Sequence, residues 1–240
     1  MSDSIDIFKT TNEWLKSHKI IFNAYESTDS TNNQAKIEAS ELKENTKVYI
    51  AAKQTAGRGR NNNQWLNSTT SNNLLATWSF HLPSAAQSVT SPIIGLSVYE
   101  SLTEAFANIP FSIKAPNDIY IADKKALGIL IESISMGANT RLIVGIGLNV
   151  FSHPEQISNS THLSSVISIS KENWTHFLEI LNQNLAQAAR AATGAHLTPE
   201  QRDRILIGLN QYPNLSEKYV SVSPFGDLVS EKKTTSWREL

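Results

Sequence analysis

Arg58 and Arg60 alternate with Gly57 and Gly59, three asparagines follow (Asn61, Asn62, Asn63), and Trp65 closes the stretch. A guanidinium is a planar fork of donors that matches carboxylate and phosphate. Glycine lets a backbone approach a ligand closely. Neither helix nor strand favours this composition. The segment lies between two apolar, strand-like runs, 48–52 and 74–78. A long polar loop between strands has two readings. It closes over an anionic ligand, or it is a surface loop that carries two arginines.

Three other segments have compositions that a core does not explain. Ser30-Thr31-Asn32 places three hydrogen-bonding side chains at a helix start, where plain capping would also put them. Lys114-Ala115-Pro116-Asn117-Asp118 precedes Lys124-Lys125-Ala126-Leu127-Gly128, a cationic hairpin of a kind also common on surfaces. Gly145-Ile146-Gly147-Leu148-Asn149-Val150 is an apolar strand whose glycines allow a ligand or neighbouring strand to come near. It is not a dinucleotide fingerprint, because no third glycine and helix start follow.

The elements that must position these groups alternate in type. Ile5, Phe8 and Trp14 predict a helix over 5–17, and 20–25 reads as a strand. A capping-rich turn then opens a helix to about Leu42, with Glu38 and Glu41 on its solvent side. Strands are predicted over 47–53 and from Asn73 to Phe80. Ser91-Pro92 looks like an N-cap and first helical position. Phe111 to Lys114, Ile119 to Ala122, Leu127 to Ile134 and Leu142 to Val150 read as short strands, three of them in a meander. Helices follow at 172–192 and 198–209, then weak strand signals at Tyr219 to Val222 and Asp227 to Val229. The pattern is α+β: a mixed, mostly antiparallel sheet with helices on one side. Residues 1–210 form the main domain, and 211–240 a short C-terminal appendage.

Composition narrows the chemistry. The chain has 240 residues, 40% hydrophobic and 18% charged, with a formal charge of -1. That suits a globular domain and opposes a broad nucleic-acid surface. With no cysteine, disulfides, thiolate metal sites and thiol nucleophiles are excluded. The six histidines form no ligand pair at helical spacing. The start Met1-Ser2-Asp3-Ser4 is not a signal peptide, and no run approaches a membrane span. The expected location is the cytoplasm. Asn67-Ser68-Thr69 and Asn173-Trp174-Thr175 then match the glycosylation pattern by chance.

Taken in order, Ser-Thr-Asn, Gln-x-x-Gly-Arg-Gly-Arg-x-x-x-x-Trp, Lys-x-Pro-Asn-Asp-Ile-Tyr, Lys-x-x-Gly-Ile-Leu-Ile-Glu and Gly-Ile-Gly-Leu-Asn-Val resemble the biotin–protein ligase family over about residues 20–166. The resemblance implies a catalytic domain similar to class II aminoacyl-tRNA synthetases and lipoate ligases. It implies ATP, Mg2+ and biotin as ligands, biotinyl-5′-AMP as intermediate, and transfer to a lysine of a biotin carboxyl carrier protein of acetyl-CoA carboxylase. Ser30, Thr31, Asn32 and Gln54 would hold biotin, with Gly57, Arg58, Gly59 and Arg60 folded over its tail and the phosphate. Lys125 would stabilise the adenylation transition state, with Arg58 and Arg60 in support. Gly128 and Gly145 would line the biotin slot. Trp65, Lys114, Asn117 and Asn149 would serve the nucleotide, and Asp118 a magnesium ion. Lys124 would be a solvated neighbour. Members often form homodimers, and some begin with a DNA-binding module, for which the roughly twenty residues before the first strand are too few.

Two departures stand out. Many members continue Gly-Arg-Gly-Arg with Arg-Gly-Arg, where this chain has Asn61-Asn62-Asn63, and the usual tryptophan is Ala115. Two alternatives follow: a lipoate ligase, or a protein that holds biotin or its adenylate with weak transfer. The C-terminal small barrel of the family also looks shortened, with Gly226-Asp227-Leu228 as its remnant.

Overall fold

A computed structural model describes residues 5–66 and 72–240. Residues 1–4, read above as unlike a signal peptide, and the Asn67-Ser68-Thr69 match lie outside the described residues.

Helix α1 (Ile7–Ser17) begins on Asp6, whose carboxylate accepts the Lys9 amide at 2.9 Å. Strand β1 (Phe22–Tyr25) passes through α2 (Thr31–Glu38) to β2 (Thr46–Ala51). Strands β1 and β2 are parallel, as a helical crossover permits. Then come β3 (Leu74–Leu82), α3 (Thr90–Ala105), β4 (Phe111–Lys114), β5 (Asp118–Ile121), β6 (Lys124–Met136) and β7 (Asn139–Leu148). The seven strands form one sheet in the order β1-β2-β3-β7-β6-β5-β4, antiparallel except at β1/β2. Strands β4 to β7 form a four-stranded meander, one strand more than the three the sequence predicts.

The interior strand β3 is covered on both faces, so eight of its nine residues are buried. On one face Trp78 donates to Asn182 of α4 (Lys171–Ala191) at 3.1 Å. On the other, Thr77 meets Thr31 and Asn32 of α2. The long helices α3 and α4 thus pack on one face, and the short α2 covers the other. Helix α4 opens with a Ser170/Asn173 capping box, and α5 (Pro199–Asn210) with a Thr198/Gln201 box and Pro199 at its start.

Local readings shift at three points. Helix α3 begins at Thr90 with Val89 at the cap, so Ser91 is not the N-cap. Pro92 still lies in the first turn, where its missing N–H leaves no bond unmade. Helix α2 ends at Glu38 rather than near Leu42. Glu38 does not simply face solvent: it accepts from Lys47 (2.7 Å), Tyr49 (2.7 Å) and Asn23 (2.9 Å). Arg141 is fully buried and donates to the carbonyls of Glu44 (2.8 Å) and Leu42 (2.7 Å), fixing the chain beyond α2.

Strands β8 (Tyr219–Val222), β9 (Leu228–Ser230) and β10 (Thr234–Thr235) form a small second sheet. Its Val222 and Leu228, and Trp237 after it, are buried in the main core cluster. Trp237 Nε1 donates to the Pro116 carbonyl at 2.7 Å, at the β4–β5 turn.

Candidate functional site

The N-terminus of α2, the loop 54–65, the β5–β6 hairpin and β7 surround one cavity of about 180 Å³. Of the candidates above, Ser30, Thr31, Asn32, Gln54, Arg58, Gly59, Arg60, Trp65, Asn117, Asp118, Lys125, Gly128 and Gly145 line it. Residues scattered over more than a hundred positions therefore share one wall.

The polar end is built on α2. Ser30 has extended backbone at the helix cap, but its side chain makes no capping bond. Capping falls to Gln54 instead. Its Oε1 accepts the Thr31 amide (2.7 Å) and hydroxyl (3.0 Å). The Thr77 hydroxyl donates to Asn32 Oδ1 at 2.6 Å and lies 2.8 Å from Thr31 Oγ1. Asn32 Nδ2 donates to Glu132 (3.0 Å) and the Leu130 carbonyl (3.3 Å). The Asn33 amide, 2.6 Å away, holds the Asp29 carboxyl down at about 2.

Loop 54–65 is held more firmly than its composition suggests. Thr55 and Ala56 donate to the carbonyls of Thr28 (2.8 Å) and Asp29 (2.9 Å). Gly59 donates to Asn63 O (2.8 Å), Asn63 to Arg60 O (2.9 Å) and Trp65 to Gly57 O (2.9 Å). Asn61 sits at φ 53°, in the left-handed region that asparagine tolerates. Arg58 Nη1 reaches Glu132 at 3.0 Å and Asn33 at 3.1 Å.

The cationic wall depends on a bulge. Side chains alternate along a strand, so Lys125 and Gly128, three apart, should face opposite ways. In the β5–β6 ladder, Ile119 pairs with Leu127 but Tyr120 pairs with Lys125, leaving Ala126 as an extra residue. A bulge of this kind re-aims the side chains beside it. Lys125 and Gly128 both reach the cavity, while Lys124 is exposed. Lys125 Nζ lies 2.7 Å from Asp118 Oδ1 and 5.7 Å from the centre of the Trp65 ring.

The glycines accommodate the protein's own side chains. Gly128 and Gly147 are register partners in β6/β7, and Trp65 packs on both. A Cβ at either would come within 2.8 Å and 2.5 Å of the indole. A Cβ at Gly145 would run into the Asn32 amide. Gly147 lines the cavity although only Gly128 and Gly145 stand out as slot residues. The Gly-Ile-Gly repeat was its signal.

Gly57, Lys114 and Asn149 are not among the lining residues. Gly57 is the turn against which Trp65 closes. Lys114 Nζ bonds the Tyr120 hydroxyl at 3.2 Å and lies over the rings of Tyr120 (4.9 Å) and Tyr212 (5.4 Å). Burial alone would lower the Lys114 pKa, but the Tyr120 bond outweighs it and the ammonium is held above its usual value. Asn149 is buried and donates to the Thr161 carbonyl at 3.0 Å, tying β7 to the segment after it. Glu132, the carboxylate that joins Lys36, Arg58 and Asn32, has no signal in the sequence beyond its place at the end of the Gly-Ile-Leu-Ile-Glu run.

Residues 24–149 match the model of the biotin/lipoate A/B protein ligase family. A bifunctional ligase/repressor of Escherichia coli is 34% identical over 124 residues, covering 51% of this chain and 38% of that protein. A biotin–[acetyl-CoA-carboxylase] ligase of Mycobacterium tuberculosis is 28% identical over 176 residues, covering 72% of this chain and 59% of that one. Among solved structures, a biotin protein ligase from Aquifex aeolicus in complex with biotin and ATP superposes with a TM-score of 0.68 at 28% identity, covering 90% of this chain and 95% of that one.

Proposed function

The chain belongs to the biotin/lipoate A/B protein ligase family, and from that premise we propose that it is an ATP-dependent biotin–protein ligase. The observation that carries the reading is the cavity itself. It combines the polar set Ser30, Thr31 and Gln54 with three cations, Arg58, Arg60 and Lys125. The first set offers donors and acceptors to the ureido ring of biotin. The second meets the chemical difficulty of the reaction, which brings two anions together. The biotin carboxylate attacks the α-phosphorus of ATP, and pyrophosphate departs with the bonding electrons. A carrier lysine then attacks the mixed anhydride carbonyl, forms an amide and releases AMP. Fixed cations aimed at a charge that develops in the transition state are the strongest lever available to such a site.

Lys125 lies between carboxylate and phosphate in this reading, with Arg58 and Arg60 binding the phosphate. Gly57 and Gly59 shape the loop that carries those arginines, and Asn32, Gly128 and Gly145 bound the biotin slot. Trp65 and Asn117 contact the nucleotide. Lys114 and Asn149 support that side from behind the lining. Magnesium would neutralise phosphate charge. Among the described residues no group of three acidic or histidine side chains is assembled, so the ion would rest on Asp118 and the triphosphate oxygens, a usual arrangement for it. The acceptor in this reading is a carboxyl carrier protein of acetyl-CoA carboxylase. No described helix is long and apolar enough to cross a membrane.

The test is incubation with biotin, ATP, magnesium and a carrier domain, followed by mass spectrometry of the carrier. One added biotinyl group on one lysine is expected. Lipoate in competition should not reduce it. Preferential lipoylation, or adenylate without transfer, would overturn the reading.

A further inference from the structure

Glu132 is an acidic side chain that ties the loop 54–65 to the rest of the site, and nothing in the proposed reaction uses it. It lies in β6, four residues beyond Gly128. Its carboxylate takes Lys36 of α2 at 3.0 Å, Arg58 of the loop at 3.0 Å and Asn32 Nδ2 at 3.0 Å. Its side chain is 20% exposed, and it is not among the residues lining the cavity, although Arg58 and Asn32 are. Burial would raise its pKa, yet the Asn32, Lys36 and Arg58 contacts outweigh that and hold the carboxyl ionised.

We propose that Glu132 is a positioning residue that docks Arg58, and with it the closed loop, in the orientation the anionic ligand requires. Both bonds from Arg58, to Glu132 and to Asn33, leave through the single nitrogen Nη1. A guanidinium carries five N–H donors. Anchoring one edge therefore fixes the plane of the fork and leaves other donors to meet a phosphate or carboxylate in the cavity. Glu132 brings one negative charge against the two cations Lys36 and Arg58, so the cluster stays net positive and Arg58 is held without neutralising the positive wall. The same carboxylate orients Asn32, whose amide fills the space above Gly145. One group thus sets both the α2 end and the loop end of the cavity. The role assigned here rests on the ligase reading, but the docking of the loop does not.

Two measurements separate those claims. The first is amide exchange of Gly59, Asn63 and Trp65 in the ligand-free protein. Glu132→Gln keeps the shape and removes the charge, and should speed exchange at these amides by about tenfold, the scale of a charge-assisted bond. Arg58→Ala should do the same, and serves if Glu132→Gln does not fold. Unchanged exchange in either variant that folds overturns the docking. The second is biotin-dependent pyrophosphate release. Glu132→Gln should raise the KM for biotin and lower kcat, and Glu132→Asp, which keeps the charge, should recover part of both. Combined with Arg58→Ala, Glu132→Gln should add nothing further, because residues acting through one contact are not additive. Additive losses overturn the route through Arg58. A wild-type protein with no biotin-dependent release but a Glu132-dependent loop overturns the ligase reading alone.

Discussion

Lys125 Nζ lies 2.7 Å from Asp118 Oδ1, and the two residues face each other only because Ala126 is bulged out of the β5–β6 ladder. In a regular ladder the exposed Lys124 would share the face of Gly128, and Lys125 would point away. Asp118 therefore holds the ammonium at the cavity in advance of any ligand. In the proposed reaction it must share that lysine with the incoming phosphate.

Lys125→Ala should cut the rate of biotin adenylation by a hundred- to a thousandfold, since loss of a preorganised donor at a developing charge costs about 2.7–4 kcal/mol. Lys124→Ala should leave it unchanged. Pyrophosphate release by the two variants decides the matter, and equal rates would remove Lys125 from its role.

Gly147→Ala should disturb Trp65. The added Cβ would meet three indole atoms at 2.5, 2.7 and 3.0 Å, which the ring can relieve only by leaving its seat. Overpacking of this kind costs about 1–3 kcal/mol. Thermal unfolding should show the loss, and Trp65→Ala combined with Gly147→Ala should restore much of it. A fully stable Gly147→Ala variant would mean that the indole is not seated there.

Asn63→Arg should slow release of biotinyl-AMP. Asn63 lines the cavity and has ordinary extended backbone, so arginine can replace it without strain. A charge-assisted bond contributes about 1.5–3 kcal/mol, less where the loop is solvated. Asn61→Arg should do less. That residue is at φ 53° and is not among the lining residues, and a left-handed conformation costs an arginine about 1–2 kcal/mol. Stopped-flow dissociation of the adenylate from both variants tests the order; equal rates would refute it.

Stability should respond to pH at two carboxyls with opposite sign. Burial in α3 pushes Glu100 up from 4.5 to about 7, although Arg204 Nε lies 2.6 Å away. A raised acid stabilises the fold below its unfolded pKa and loses that contribution as pH rises through the folded one. Glu100→Gln should therefore flatten the decline between pH 4.5 and 7 in denaturant titrations. Asp29, held near 2 chiefly by Asn33, contributes above its ordinary 3.8 and loses that contribution as the medium is acidified through the folded value. Asp29→Ala should remove that acid limb. A variant curve parallel to wild type would reject the corresponding assignment.

Much of this protein is legible in one dimension. Three strands of the β4–β7 meander follow from alternating apolar runs and turn residues, and the start of α5 from Thr198-Pro199. These signals are local, since a cap or turn is settled by residues three or four apart. The motif residues that share the cavity are visible as segments that a core does not explain, and it is their order along the chain, not any one of them, that sets them apart from caps and surface loops. The structure alone decided how they meet. Arg58 finds Glu132 across 74 residues, and Gln54 caps α2 from 23 residues away. The face on which Lys125 emerges depends on a one-residue slip in a ladder, and Trp65 takes its seat because Gly128 and Gly147 are opposite in register. Register is set by the pairing of whole strands over a shared core, so no short window of sequence contains it.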